Sequence, residues 1–158
     1  MDLANELIGR AHELKPVFAA RAAATESKRA PLDETIADLD DAGFLKILTP
    51  KRYGGYELHI DTLVAVSRVI ASACPSTGWV TAFYIGHNWF HSVLPKKSQD
   101  EVFAERPWQR SSAQISPTAQ AVKVSGGYEV TGQQSWSSGI THATYVFFTA
   151  VQVVEGEE

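Results

Sequence analysis

Two groups of residues in this 158-residue chain have types and spacing that could support chemistry. The first is the segment WSSG at 136–139, which follows the glycine-rich segment GGYEVTG at 126–132. Trp136 offers a flat face for a planar ring, and Ser137 and Ser138 each offer a donor and an acceptor. The glycine that follows lets the backbone approach a ligand closely. The segment is therefore a candidate ligand contact, and the alternative is an ordinary β-hairpin with a buried Trp.

The second group is the pair His87 and His91, which lie four residues apart in an apolar helical pattern. This spacing can bind zinc, but the residues between them lack the Glu of a metalloprotease helix, and no spacing rule places a third ligand. We therefore expect no metal site. Either histidine can be a hydrogen-bonded core residue, or it can face a pocket. Beside Tyr84 and Trp89, such a histidine could hold an aromatic substrate and act as a general base.

The first hundred or so residues, which include His87 and His91, are expected to be helical. Apolar residues at helical spacing predict a first helix running through Leu3 and Phe18, with a kink or restart at Pro16. Four more helices are predicted from caps and breaks: one from Pro31 to Gly43, one from Asp61 to Cys74, one capped by Ser76 and ended by Pro95, and a short one capped by Ser98.

From about residue 110 the pattern changes to short β-branched and aromatic runs. The predicted strands are 110–115, 119–124, 128–133 and 144–153. The expected fold class is α+β, with an all-α helical domain at 1–107 followed by the start of an antiparallel β domain at 108–158. The segment 155–158 looks like the start of a hairpin turn without a return strand. The sheet edge would then stay unpaired, and such an edge invites association.

Composition excludes several classes of protein. The hydrophobic share of 44% and charged share of 20% are typical of a folded globular chain. A formal net charge of −4 argues against nucleic acid or anionic membrane as a partner. The chain has a single cysteine, no signal-peptide pattern and no apolar run of about 20 residues, so we expect a soluble cytoplasmic protein. It also lacks the glycine patterns of nicotinamide and nucleoside triphosphate sites.

Several segments, taken together and in order, resemble the acyl-CoA dehydrogenase superfamily. DDAGF at 40–44 and YGG at 53–55 resemble its general signature. PSTGWV at 75–80, GHN at 86–88 and the stretch 126–143 resemble the branch of flavin-dependent monooxygenases that hydroxylate phenols and related aromatics. The resemblance spans about residues 25–150. It implies a truncated acyl-CoA dehydrogenase-like chain, because the family continues with the rest of a central β domain and a C-terminal helical bundle.

The resemblance implies a flavin site at the strand ends. Ser138 takes the place of a catalytic serine whose hydroxyl lies near flavin N5, and Trp136 and Ser137 line the flavin ring. Gln114 approximates a position that contacts flavin. The segment SPTA at 116–119 departs from the family pattern, which usually has a glycine after the proline.

The resemblance also implies a substrate site. His87 matches a catalytic histidine that faces the aromatic substrate and binds or deprotonates its hydroxyl, with Tyr84 beside it. Ser112 approximates a position that contacts substrate. We expect His87 and Ser138 to face each other across one cleft.

The implied function is the oxygenase component of a two-component monooxygenase. It would use reduced FMN or FAD from a separate flavin reductase and a small aromatic substrate, and full-length relatives would form homotetramers. A chain without the C-terminal bundle is expected to be inactive. One alternative is an acyl-CoA dehydrogenase that uses FAD, although ISPTAQ at 115–120 replaces that group's usual strand sequence. The other is a non-catalytic remnant that acts as an assembly or partner module.

Overall fold

The computed structural model describes residues 2–154, so the turn predicted at 155–158 lies outside the described residues. The helices of this part are α1 (Leu3–Lys28), α2 (Asp33–Asp41), α3 (Ile60–Ala71), α4 (Pro75–Ser92) and α5 (Lys96–Val102). Short 3₁₀ turns lie at Phe44–Lys46, Lys51–Tyr53 and Ile140–His142. The strands are β1 (Ser111–Ala113), β2 (Ala119–Val124), β3 (Gly127–Gly132), β4 (Tyr145–Phe147) and β5 (Ala150–Val153). None of the helices in this part is long and apolar enough to cross a membrane.

The helices of residues 3–102, which we call the helical half, enclose one hydrophobic core. Helix α1 continues through Pro16 instead of restarting there, because apolar residues are buried on both sides of the proline, including Leu7 and Phe18. The core lies among α1, α2, α3, α4 and the first 3₁₀ turn, and its most buried members include Phe44, Ile70 and Ile85.

Three predicted helix caps are wrong by two or three residues. Helix α3 begins at Ile60 with His59 in the cap position, so Asp61 lies in its first turn. Helix α4 begins at Pro75, with Cys74 in the cap position, because the fixed φ of a proline suits the first helical residue. Helix α5 begins at Lys96 after Pro95, so Ser98 lies inside the helix instead of capping it.

The predicted fold class, helices followed by the opening of a β region, is present, but strand pairing is mixed. Among the strands of residues 2–154, only β2 and β3 pair antiparallel, whereas β1 pairs parallel with β4 and β2 pairs parallel with β5. The predicted strand 144–153 is split into β4 and β5, because the two halves join different partners. Between β3 and β4, the chain bonds to Trp79 and Tyr84 of α4, and β4 then pairs parallel with β1. The domain boundary at 107/108 stays a prediction.

Candidate active site

Four polar residues on one face of α4 hold the β region against the helical half. Tyr84, His87, Asn88 and His91 lie three to four residues apart, so they share one face of the helix. All four side chains are buried, and each bonds to backbone or side-chain atoms beyond residue 108. We call these four residues the polar seam.

Asn88 makes the densest set of bonds in the polar seam. Its Oδ1 accepts from the Gln109 backbone N–H at 2.8 Å, and its Nδ2 donates to the Gln109 carbonyl at 2.9 Å and to the Tyr84 carbonyl at 2.8 Å. An asparagine side chain therefore pairs with residue 109 as a neighbouring strand would. Neither residue was singled out from sequence. The signal that could have found Asn88 is an amide between two histidines on a buried helix.

His87 and His91 both bond to Ser111. The Nδ1 of His87 lies 2.5 Å from the Ser111 carbonyl, and the Nε2 of His91 lies 2.7 Å from the Ser111 hydroxyl. Burial lowers the pKa of His87, against the opposing effect of its Ser111 bond. Burial, with a smaller contribution from nearby His87, lowers the pKa of His91 to about 4. Both imidazoles are therefore neutral near pH 7.

The loop at 137–139 is bonded to the helical half and to β1. The indole Nε1 of Trp79 donates to the Ser138 hydroxyl at 3.0 Å, and the Tyr84 hydroxyl donates to the Gly139 carbonyl at 2.6 Å. The Ser112 hydroxyl donates to the Ser138 carbonyl at 3.0 Å. Tyr84 and Ser112 are fully buried, and burial raises the pKa of Tyr84 to about 12. Their hydroxyls thus position the loop.

A glycine is required at 139 by the backbone conformation and by the Tyr84 ring, while its expected close approach to a ligand stays a prediction. Its φ is +80°, and a Cβ there would lie 2.8 Å from the Tyr84 ring. Trp136 is 91% exposed, which rules out the alternative of a buried Trp. Its φ of 65° lies in the left-handed region, which costs a non-glycine residue about 1 kcal/mol or more and is concentrated at functional sites.

Gln114 presents an unusual amide oxygen. Its side-chain Oε1 is buried without a hydrogen-bond partner among the described residues, and its backbone carbonyl accepts from the Thr149 hydroxyl. Gln134 is similar, because its Oε1 is also buried without a partner in that part of the chain while its Nε2 donates to the Thr149 carbonyl at 2.9 Å. Both glutamines therefore contact Thr149, and their amide oxygens have no partner in that part of the chain.

The expectation that His87 and Ser138 face one cleft is wrong, because they line two separate pockets. The larger pocket, of about 700 Å³, has walls from the end of α1, the start of α4 and residues 137–141, and it includes Ser137 and Ser138. The other, of about 350 Å³, is almost wholly apolar and is lined by Leu48, Ile60, Ala82, Phe83, Gly86, His87, Trp89 and Phe90. Tyr84 and Ser112 line neither of these two pockets.

Aromatic rings lie between the two pockets. Trp79 packs on Phe83 with ring centroids 4.9 Å apart, Phe83 packs on His87 at 5.2 Å, and His87 packs on Phe90 at 5.5 Å. We call these four residues the aromatic strip. Trp79 belongs to the larger pocket, while the other three line the smaller one, so the strip connects the pockets along α4.

No three His, Cys, Asp or Glu side chains within residues 2–154 come close enough together to hold a metal ion.

Comparison with known proteins identifies the family. The family described as acyl-CoA dehydrogenase, N-terminal domain, matches residues 10–94, which is more than half of the chain. The chain belongs to the acyl-CoA dehydrogenase family. The resemblance seen in the sequence is thereby confirmed, and the matched segment holds α2, α3, α4 and most of α1.

Proteins similar to this chain are named as hydroxylases, monooxygenases or oxygenase components. Pigment production hydroxylase of Rhodococcus sp. (strain ATCC 21145) is 50% identical over 151 residues, covering 96% of this chain and 39% of that protein. The oxygenase component of FADH(2)-dependent resorcinol hydroxylase from Rhizobium sp. (strain MTP-10005) is 29% identical, covering 92% of this chain and 36% of that protein. The crystal structure of the HsaA monooxygenase from M. tuberculosis superposes with a TM-score of 0.93 at 36% identity, covering 98% of this chain and 42% of that one.

The chain spans about two fifths of the length of these relatives.

Proposed function

We propose that this chain forms part of the oxygenase component of a two-component flavin-dependent monooxygenase, which hydroxylates a small phenolic substrate with reduced flavin from a separate reductase. The observation that carries the proposal is the match along nearly the whole chain to proteins named as hydroxylases and monooxygenases, at up to 50% identity and a TM-score of 0.93. A cytoplasmic homo-oligomer is our expectation for the active form, and the single buried cysteine, Cys74, agrees with a reducing compartment.

The residues at the strand ends fit a flavin. Trp136 exposes nearly its whole indole face to a planar ring. The Ser138 oxygen accepts from the Trp79 N–H, which can only donate, so the Ser138 hydroxyl hydrogen and its second lone pair are left for polar atoms of a ligand. The unpartnered Oε1 of Gln114 suits an N–H donor of a ligand. We assign flavin contact to these three residues and to Ser137. Bound reduced flavin would supply the electrons that activate oxygen.

We assign substrate binding to the apolar pocket that contains His87. A carbonyl only accepts hydrogen bonds, so the Nδ1 of His87 carries the hydrogen that bonds the Ser111 carbonyl, and Nε2 keeps its lone pair. In our proposal Nε2 accepts the phenolic hydrogen, which makes the ring electron-rich at the hydroxylated position. Phe83 and Phe90 pack against the substrate ring and exclude water.

Tyr84 and Ser112 take a different role from the one that the sequence suggested. Their hydroxyls are buried and bonded to the carbonyls of Gly139 and Ser138, so we assign both residues to positioning the loop instead of contacting substrate.

Anaerobic titration with reduced FMN and reduced FAD tests the flavin assignment. We expect the fluorescence of Trp136 to be quenched by one of the two flavins, and we expect Trp136→Phe to remove most of that quenching. Ser138→Ala should weaken binding about tenfold, because one hydrogen bond to a ligand contributes about 1 kcal/mol or more. The matched control is Ser92→Ala, which removes an exposed hydroxyl at the end of α4, away from the loop.

Because a chain without the C-terminal bundle is expected to be inactive, the reaction is tested in an oxygenase component that joins this chain to such a bundle, with a flavin reductase, reduced nicotinamide, oxygen and a panel of phenols. A product one oxygen atom heavier than the phenol supports the proposal. Binding of neither flavin would contradict it and favour the alternative of a non-catalytic partner module. Oxidation of an acyl thioester without oxygen insertion would favour an acyl-CoA dehydrogenase.

A further inference from the structure

Ser111 is bonded by two buried imidazoles from the same helix face. Its carbonyl accepts from Nδ1 of His87, and its hydroxyl bonds Nε2 of His91 at 2.7 Å. Ser111 itself is fully buried, and the two histidines are only 3% exposed. One residue of β1 therefore couples the histidine that lines the apolar pocket to a histidine that does not line it.

The Ser111 carbonyl decides which nitrogen of His87 carries the hydrogen. A neutral imidazole has one N–H and one lone pair. With the hydrogen on Nδ1, the bond to the carbonyl forms. With the hydrogen on Nε2, two lone pairs face each other at short distance, which is unfavourable in a buried site. The position of this carbonyl thus determines whether Nε2 of His87 is a base toward the pocket.

Besides the bonds at Ser111, strand β1 is held by few contacts, chiefly the Asn88 bonds to Gln109 before it and the Ser112 bond to the Ser138 carbonyl. It is three residues long and pairs with β4, which is equally short. His91, by contrast, is fixed by packing, because its ring lies 4.5 Å from the ring of Phe147, 5.6 Å from that of Tyr145 and 6.1 Å from that of Phe103. The His91 Nδ1 has no partner among the described residues, so the Ser111 hydroxyl is its one polar contact in this part of the chain.

We propose that His91 is a positioning residue for His87. By holding Ser111 through its hydroxyl, it keeps the Ser111 carbonyl on Nδ1 of His87 and leaves Nε2 unprotonated toward the apolar pocket. The use of that lone pair on a phenol rests on the proposed function, whereas the tautomer itself does not.

Nitrogen-15 NMR of the histidine side chains in the 158-residue chain measures the tautomer directly, with no flavin or substrate added. His87→Gln identifies the His87 signals by their loss. We expect the Nδ1–H form of His87 in the wild type. Ser111→Ala removes the hydroxyl but keeps the carbonyl, and His91→Leu removes the imidazole, so both should increase the Nε2–H population several-fold. His91→Gln should restore the wild-type tautomer, because its amide can donate to the Ser111 hydroxyl.

Thr81→Val is the matched control. It removes another buried hydroxyl bond on α4, the 2.7 Å bond from Thr81 to the Thr77 carbonyl, and should leave the His87 tautomer unchanged. A wild-type His87 in the Nε2–H form, or an unchanged Nδ1–H form in Ser111→Ala, would overturn the proposal, even if His91→Leu fails to fold. A tautomer shift in a chain that binds no flavin would support this inference and count only against the proposed function.

Discussion

The helical half and the β region of this molecule are stabilised in different ways. Residues 3–102 enclose a continuous apolar core that includes Phe18, Phe44 and Ile70. Beyond residue 110, Ala119 is the one buried apolar side chain of the described residues, and the valines of β2, β3 and β5 are about half exposed. Burial of apolar surface is the main favourable contribution to folding. The β region therefore depends on the hydrogen bonds of the polar seam for its position.

This difference bears on function because the candidate site lies where the two parts meet. The loop at 137–139 belongs to the β region, while its hydrogen bonds to Trp79 and Tyr84 come from α4. One side of the site is therefore formed by α4, within the apolar core, and the other by a loop that a few hydrogen bonds hold in place. A single substitution can remove each of these hydrogen bonds, so the comparison can be tested residue by residue.

The largest effect is expected from a substitution in the helical core. Phe44→Ala should lower the free energy of unfolding by about 4 kcal/mol, because a fully buried aromatic ring is replaced by a cavity. Val130→Ala in β3 should change it by less than about 0.5 kcal/mol, since that side chain is half exposed. Urea unfolding of both variants measures the contrast. Similar losses in the two variants would remove the distinction between the two regions.

Acidification should have the second largest effect, a loss in the free energy of unfolding caused by the buried histidines of the polar seam. The pKa of His91 is about 4 in the folded chain and near 6.5 when unfolded, so the unfolded state binds the proton first as the pH falls. Between pH 6.5 and 4 this costs about 3 kcal/mol of stability, at 1.36 kcal/mol per pKa unit. His87 acts in the same direction, because burial lowers its pKa too. Urea unfolding across this range measures the loss.

The titration of Asp40 changes the free energy of unfolding in the opposite direction, so a substitution at Asp40 serves as the control. Burial raises the pKa of Asp40 to about 6 against the attraction of Arg110, whereas the unfolded carboxyl titrates near 3.8. The folded state therefore takes up this proton first, and stability rises as the pH falls from 6 to 4. Asp40→Asn removes the opposing contribution and should make the loss steeper. A shallower loss in Asp40→Asn would contradict this assignment of signs.

Asn88→Ala should cost about 2 kcal/mol, because it leaves the buried N–H and carbonyl of Gln109 without their partner. The change should be largest in amide exchange near residues 109–113 and small in α1. Ser92→Ala, which removes an exposed bond on the same helix, should cost less than about 0.5 kcal/mol. Equal protection of the Gln109 amide in wild type and Asn88→Ala would show that the side chain does not hold the β region.

Tyr84→Phe should have the smallest effect, about 1 kcal/mol, because it removes one hydrogen bond to the Gly139 carbonyl. Since that bond positions the loop, we expect faster exchange of the loop amides at 137–142 with little change in the helical core. Faster exchange throughout the core instead would mean that Tyr84 acts mainly through packing.

Local signals in the sequence predicted the helical half well. Gly43 was expected to follow the end of α2, and it does so with a φ of +77°, where a Cβ would meet the Tyr56 hydroxyl at 2.6 Å. Pro75 and Pro95 were expected to break helices, and α3 and α4 end before them, at Ala71 and Ser92. The two histidines on the apolar face of α4 are buried as well. Each of these features depends on residues a few positions apart.

Features that depend on distant partners were missed. Gln109 lies in no periodic pattern, and it matters because Asn88, 21 residues earlier, bonds to both of its backbone groups. The parallel pairing of β1 with β4 depends on the path of the chain between them, which strand patterns do not encode. The separation of His87 from Ser138 depends on how the ring of Phe83 packs against its neighbours.

Amide hydrogen exchange at Gln109 tests most directly whether the polar seam fixes the β region to α4. The Gln109 N–H donates to the Asn88 side chain and lies outside every strand, so its protection reports the seam alone. We predict that it exchanges as slowly as the buried α4 amides such as that of Ile85, while the amides of β3 exchange much faster. Exchange of the Gln109 amide together with those of β3 would contradict the account.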